Sequence, residues 1–479
     1  MVPNKHFQFG GGLQETLLHP IVLVAMVVSV ILILFLPRKY VIVPVLVTSL
    51  LVPLGQQVVV GGLHLFVMRI IILFGCIRML ISKMSSQDEL LAGGFNSVDK
   101  WFTLWAVFRT LTALVLYASV AAVIGESGFL WDVFGGYFLL RFLIRDYEDI
   151  TRAAKVLALI AVVAAAGMLN ERLHFQNVFG FLGGVPIVPT IRMGTIRAQG
   201  PFMHAILAGT FGGTVAPLFF WLWKIAKSKF LAVIGVISSA VIVVAAASST
   251  ALMAFGGGIF AICLWPFRKK MRQVRWGIVI LLLALSLVMK APVWFVISHV
   301  DIVGGNSSYQ RAYLIDQFIR HFGDWWLLGT FQSDSWGVDM WDHTNQFVAE
   351  GESGGLITLY CFIAMISVSF GMIGKARKAI EGDKEKEWML WILGAGLFAH
   401  IVGYFGISYF DQTRVAWFVL LAMISAASAP MLASQAATET VPDRGLFASR
   451  LANRPALAHT AAGGVPSFRW DSKRSGRLN

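Results

Sequence analysis

The stretch Leu17–Leu36, LLHPIVLVAMVVSVILILFL, carries no charged residue, and Pro37-Arg38-Lys39 follows it at once. Such a run matches the roughly 20 apolar residues that an α-helix needs to cross the hydrocarbon core of a bilayer. It lacks the small-residue cleavage site of a signal peptide, so it reads as a retained helix with its basic flank at an interface. Runs of the same kind recur as far as Leu432. They are Val41–Leu54, Leu63–Ile81, Trp101–Ile124, Phe129–Ile144, Val156–Leu169, Phe202–Trp223, Phe230–Ala247, Ala251–Trp265, Trp276–Ile297, Leu356–Ile373, Trp388–Ser408 and Val415–Leu432. Val41–Leu54 and Phe129–Ile144 are short enough to be re-entrant or interfacial, so about eleven to thirteen spans are expected. The expected fold is an all-α polytopic transmembrane helix bundle, residues 1–432, with a large, partly helical external loop.

Composition points the same way. Of 479 residues, 57% are hydrophobic and only 14% charged, whereas a soluble domain carries about a quarter charged residues. Soluble enzyme, disordered scaffold, collagen-like and secreted disulfide-framework classes are thereby excluded. The net charge of +13 invites a nucleic-acid reading, but the basic residues gather in short connectors such as Arg268-Lys269-Lys270-Met271-Arg272 and in Arg444–Arg477. That is how Lys and Arg are retained on the cytoplasmic side of a membrane. Nucleic-acid binding would instead need a basic stripe interleaved with stacking aromatics, so no nucleic acid is expected as a partner. Cys76, Cys263 and Cys361 each sit in an apolar run and read as small buried hydrophobes, not as a disulfide set or a metal site.

If the spans alternate, Arg38/Lys39, Arg145–Lys155, Lys224/Lys227/Lys229, Arg268–Arg275, Lys375–Lys386 and the tail share one side, the cytoplasmic one. Thirteen spans then leave the N-terminus external. The segment 433–479, without apolar periodicity, reads as a disordered basic cytoplasmic tail. Two long segments, Asn170–Gly200 and Ser298–Glu352, fall on the external side. Within spans, Arg78 and Lys290 are expected to snorkel toward an interface, and Arg69 and Arg109 to face the bundle interior.

The external segments carry the candidate chemistry. Asn170–Gly200 holds Arg172, Arg192, Arg197 and His174 against one acid, Glu171. Arginines where basic residues should be scarce suit an anionic ligand at the membrane surface, because a guanidinium grips phosphate by a two-pronged charge-assisted hydrogen bond. The other reading is an anchor on ordinary lipid phosphates. Arg197 opens Arg197-Ala198-Gln199-Gly200-Pro201-Phe202, where Gly200-Pro201 turns the chain into a span and sets the arginine beside a helix N-terminus.

In the second segment, Ser307-Ser308-Tyr309-Gln310 gives a capping signal and Tyr313, Leu314, Gln317 and Phe318 keep a helical spacing to Gly323. Arg311 falls in the first turn of that helix. Arg197 and Arg311 at two external helix starts suit the two phosphates of a diphosphate, or else Arg311 is a surface arginine. Trp325, Trp326, Trp336 and Trp341, with carboxylates and amides such as Asp342 and Asn345 nearby, suit sugar rings or an interfacial aromatic belt. His343 is a candidate proton acceptor, with Asp342, Glu350 or Asp339 as its carboxylate. Asp339 and Asp342 alone make a poor cation site, so neither metal nor cofactor is expected. Gly-rich Lys-Ser/Thr phosphate motifs do not occur.

Three features together carry a resemblance: Arg197-Ala-Gln-Gly-Pro-Phe opening a span, the large loop with Arg311, and His343-Thr344-Asn345-Gln346 before Gly354-Gly355. Over roughly Asn170 to Ile373 the chain resembles the O-antigen ligase and O-antigen polymerase superfamily, bacterial inner-membrane glycosyltransferases. The resemblance implies a glycan donor on undecaprenyl diphosphate, used at the periplasmic face without metal, and a saccharide or lipid A-core acceptor. It implies that Arg197 and Arg311, with Arg192 beside them, hold the donor diphosphate. His343, with Glu350 in reserve, would act as base, and Asn345, Asp342, Trp341 and Trp336 would meet the sugars. Thr344 separates His343 from Asn345 where family members often have the two adjacent. Ser248-Ser249-Thr250 lacks the arginine often paired with serine in the family. A transporter or flippase of lipid-linked sugars is the alternative class; it is often built on paired interrupted helices.

Overall fold

The computed structural model describes residues 16–439 except 61–62, 86–88, 226–227, 300–306 and 341–342. The described chain is mostly helical. Helices α1 (Pro20–Phe35) and α2 (Arg38–Leu51) lead into a hairpin of β1 (Gln57–Val60) and β2 (Leu63–Phe66). Then come α3 (Val67–Ser85), α4 (Ser97–Tyr117), α5 (Val120–Leu130), α6 (Gly136–Leu143) and α7 (Tyr147–His174). A second hairpin, β3 (Thr190–Arg192) and β4 (Thr195–Arg197), precedes α8 (Ala205–Leu222), α9 (Lys229–Ala245), α10 (Ser249–Cys263) and α11 (Met271–Val288). The last elements are α12 (Ser307–Arg320), α13 (Phe322–Trp325), α14 (Gln346–Ala379), α15 (Lys384–Tyr404) and α16 (Thr413–Glu439).

Five helical segments are long and apolar enough to cross a membrane: α7, α8, Trp265–Val288, α14 and α15. Shorter apolar helices lie at α1, α9, α10 and Thr413–Ala429. The boundaries differ from the sequence reading in places that have a local cause. The expected span Trp101–Ile124 breaks at Ala118, whose φ of 42° is left-handed, and Ser119 caps α5 by accepting from Ala122 N at 3.1 Å. The next span therefore starts at Val120, runs through a π turn at Trp131–Gly135 and ends at Leu143. The expected Leu63–Ile81 begins as a strand. Helix α16 continues past Leu432 to Glu439, and residues 440–479 of the expected tail lie outside the described residues. By contacts the chain divides between Ser434 and Gln435.

Helix α8 is buried on nearly every side, among α7, α9, α10 and α15. Its Gly213 permits this: a Cβ there would stand 2.9 Å from the backbone nitrogen of Phe255 on α10. Small residues at such crossings let helix backbones approach and gain packing contacts. Helix α11, by contrast, has no buried residue, which suits a helix surrounded by lipid.

The expectation that arginines of the spans face inward is met by Arg69, whose Nε and Nη2 both donate to Asp132 at 2.9 Å. A deeper pair is Arg141 of α6 with Asp99 of α4; both side chains are wholly buried, and Tyr137 Oη donates to the same carboxylate at 2.6 Å. Asp99 also closes the capping box of α4 with Asn96. Arg78 donates to the carbonyls of Ile33 and Leu34, and Lys290 is exposed.

Contacts between loops sort the helix ends into two groups. Arg38 pairs with Asp149 at 2.8 Å, Arg268 with Glu387 at 3.1 Å, and Tyr147 Oη donates to Glu385 at 2.8 Å. These residues come from the basic connectors, which thus meet at one end of the bundle. At the other end Gln56 donates to Leu182 O, and Gln412 to Val52 O and Pro201 O.

Candidate functional site

The end of the bundle opposite the basic connectors holds a tightly bonded turn, Gln199–His204, ahead of α8. Buried Glu171 accepts from Gly200 N at 2.9 Å and Gln199 N at 3.1 Å. Asn177 Nδ2 donates to Gly200 O at 2.8 Å, and Asp411 accepts from Met203 N at 3.1 Å. Glu171, the lone acid of the first external segment, is therefore used by the backbone and not by its arginines. The turn also shifts the start of the span from Phe202 to Ala205, which leaves His204 outside it as the cap accepting from Ile206 N at 3.2 Å.

The turn presents Arg197. Its residue is 7% exposed, its Nε has no hydrogen-bond partner, and no described carboxylate lies within ion-pair distance of it. A buried charge is normally paired, so a buried arginine without a carboxylate among the described residues is a candidate anion site. Arg192 and His204 are its cationic and imidazole neighbours. Burial, reinforced by Arg197 and Arg192, pushes His204 down to about 4, and Asp411 behind the turn is pushed up by burial. A histidine with a lowered folded value contributes stability that is intact above its unfolded value near 6.5 and is lost as pH falls toward 4. Unfolding measured in detergent from pH 7 to pH 4 is expected to show that loss, on the order of 2–3 kcal/mol. His204→Asn, which keeps a capping oxygen, is expected to flatten the profile; an unchanged slope would remove His204 as its source.

The second long segment, Ser298–Glu352, forms a small core of Leu314, Phe318, Trp325, Trp336, Met340 and Val348. Helix α12 ends at Arg320, and Gly323, expected as its stop, lies within α13. Arg311 is buried in the first half of α12. Trp336 is 5% exposed, donates to Asp324 Oδ2 at 3.1 Å and stacks on His321. It is a core residue and not an open face for a sugar, which corrects its expected role. Trp341 and Asp342 lie outside the described residues. Asn345 caps α14, its Oδ1 accepting from Phe347 N at 2.9 Å and Val348 N at 3.2 Å. That accounts for the side chain structurally.

Helix α14 is broken at Gly354-Gly355, and Gly355 has φ 72°. A Cβ on Gly355 would lie 2.6 Å from Leu327 O, so the loop backbone packs directly on the break. The break is sharp. The Phe347 and Phe362 ring centroids are 6.0 Å apart, whereas fifteen residues of straight helix would rise about 22 Å. The piece before the break carries both Glu350 and Glu352, each 3% exposed. Glu350 accepts from Trp105 Nε1 at 2.7 Å and Gln346 Nε2 at 2.6 Å. Glu352 Oε2 is 2.8 Å from His343 Nε2, which also meets Ser333 Oγ at 3.2 Å. The carboxylate beside His343 is therefore Glu352, not Glu350 or Asp339, because the cap at Asn345 starts a helix whose second turn returns Glu352 toward the histidine.

Gln346 joins the two halves of this end: its Oε1 accepts from Tyr409 N at 2.6 Å, two residues before Asp411 of the Arg197 turn. Arg197 and Arg311 themselves share no described partner. Glu352 and Arg414 were not singled out from the sequence. The cap at Asn345 with Gly354-Gly355 beyond it was the available signal for a short acidic helix; Arg414, at a span edge, offered none.

Neither a family model nor a curated protein matches the chain.

Proposed function

We propose that the protein transfers a glycan from a polyprenyl diphosphate carrier to a hydroxyl acceptor at the end of the bundle opposite its basic connectors. The observation that carries the reading is the 2.8 Å contact between half-exposed His343 and buried Glu352, at the same end as the carboxylate-free Arg197. A carboxylate holds an imidazole in one orientation and stabilises it when protonated, which suits removal of a proton from an attacking hydroxyl. As the hydroxyl oxygen bonds to the anomeric carbon, the bond to the carrier's diphosphate oxygen breaks and the diphosphate leaves with that electron pair. Arg197, with Arg192 and Arg311, would stabilise the leaving charge. The basic-connector end would then face the cytoplasm and the site the periplasm of a bacterial inner membrane. Ligase and polymerase differ only in the acceptor, lipid A-core or a lipid-linked glycan.

A transfer assay with lipid-linked oligosaccharide, with and without lipid A-core, tests this. Arg197→Gln is expected to weaken donor use about 10- to 100-fold, the worth of a charged hydrogen bond. Wild-type kinetics in that variant would overturn its role. Product only on core marks a ligase, and longer lipid-linked chains without core a polymerase. Transport of lipid-linked sugars is the second reading, favoured by the broken helix α14, because transporters build their sites from interrupted helices. Movement of a labelled lipid-linked sugar across proteoliposomes without glycosidic product would select it.

A further inference from the structure

Arg109 of α4 and Arg414 of α16 differ from the other arginines of the bundle. Arg69 and Arg141 each hold a carboxylate through two donors. No carboxylate of a described residue comes within 4.0 Å of Arg109 or Arg414. Arg109 Nη1 is buried without a hydrogen-bond partner, and its Cζ lies 3.7 Å from the centre of the Phe129 ring. Arg414 donates from Nε to Tyr409 O at 2.6 Å.

Two glutamates of the bundle are each held by other donors. Glu350 is taken up by Trp105 and Gln346, and Glu126 accepts from Thr110 Oγ1 at 3.3 Å. A chain of contacts gathers both arginines around Glu350: Arg414 donates to Tyr409 O, Tyr409 N to Gln346, and Gln346 to Glu350, while Trp105, the other donor to Glu350, has its ring centroid 5.9 Å from that of Phe129, on which Arg109 lies. The arrangement thus sets both arginines around Glu350, whose oxygens accept from other donors, and gives neither a carboxylate at ion-pair distance among the described residues. Charged side chains in such segments are costly and mark ligand paths when they lack a fixed partner.

We propose that Arg109 and Arg414 form a phosphoryl-anion subsite inside the bundle, walled by Phe129 and Trp105. A planar carboxylate satisfies one guanidinium fork, whereas a tetrahedral phosphoryl group offers oxygens in several directions and serves two guanidinium groups on different helices. That the phosphoryl group belongs to a lipid carrier rests on the reading under Proposed function; the subsite does not.

The test uses the full chain in nanodiscs and three probes: inorganic diphosphate, farnesyl diphosphate and phosphatidylglycerol. Calorimetry is expected to show diphosphate binding that Arg109→Gln and Arg414→Gln each weaken at least about tenfold. Lys290→Gln, which removes an exposed charge, is expected to bind as wild type. Arg109→Lys keeps the charge and loses the fork, so intermediate binding is expected, and it stands in if Arg109→Gln does not fold. Farnesyl diphosphate binding tighter than inorganic diphosphate supports the subsite with a prenyl carrier as its source. Equal competition by phosphatidylglycerol supports it with a bulk lipid headgroup as the source. No binding by wild type, or undiminished binding by both glutamine variants, overturns the subsite. A negative glycan-transfer assay with these binding losses intact would sink the transfer reading and leave the subsite standing.

Discussion

Replacing His343 with Ala, or Glu352 with Gln, is expected to lower the turnover of saccharide transfer by about 10²- to 10⁴-fold. The donor KM is expected to stay nearly unchanged. The split follows from where the two groups sit. His343 Nε2 lies 2.8 Å from a carboxylate that is 3% exposed, just ahead of α14, while the cations that would hold a diphosphate come from other elements. Loss of the base removes proton transfer in the transition state and leaves ground-state binding in place. Glu352→Gln keeps the shape and removes the charge, so its effect isolates the electrostatic part. Steady-state kinetics on purified protein decide the matter. Turnover at the wild-type rate in both variants would take the dyad out of the chemistry.

The largest stability effect is expected at a pair remote from that site. Arg141→Met leaves Asp99 buried with its charge uncompensated, because Nε and Nη2 of Arg141 donate to its two oxygens at 2.9 and 3.0 Å. Breaking a buried ion pair on one side costs about 3–5 kcal/mol. Tyr137 and the Asn96 backbone still donate to Asp99, so the lower part of that range is the expected result in thermal unfolding. Arg141→Met combined with Asp99→Leu removes both charges and is expected to recover part of the loss, less the capping box. A cost below about 1 kcal/mol for Arg141→Met would show that water or lipid headgroups reach the carboxylate.

Several features of the site were legible before the fold was known. Arg197 was marked by its sign, an arginine beside Gly200-Pro201 on the side expected to be basic-poor, and it is buried with no carboxylate of a described residue at ion-pair distance. Glu171, the one acid of that segment, accepts from two backbone amides of the next turn. His343 was marked by its residue type, but its partner was not. Glu352 reaches it only because Asn345 caps a helix there and Gly354-Gly355 ends the straight piece. Trp336 carried the composition of a sugar platform, and packing against Leu314 and Phe318 gave it a core role. Arg109 stood out within an apolar run. Arg414, next to Val415 at the edge of a span, carried no such signal.

What the sequence determined alone is the class of the protein, a helical membrane protein, and where most of its apolar helices lie, though not their ends: Val156–Leu169 is the middle of α7 and Leu356–Ile373 the middle of α14. Crossing a bilayer depends on the length of an uncharged run and on the residues that bound it, and both are properties of contiguous chain. Which charge meets which was decided by the tertiary structure. Each residue turns about 100° around its helix, so the face on which Arg69, Arg109, Arg141 or Arg414 emerges matters only once a second helix, distant in sequence, lies against it. Asp132 and Asp99 answered two of those arginines, and among the described residues no carboxylate comes to ion-pair distance of the other two.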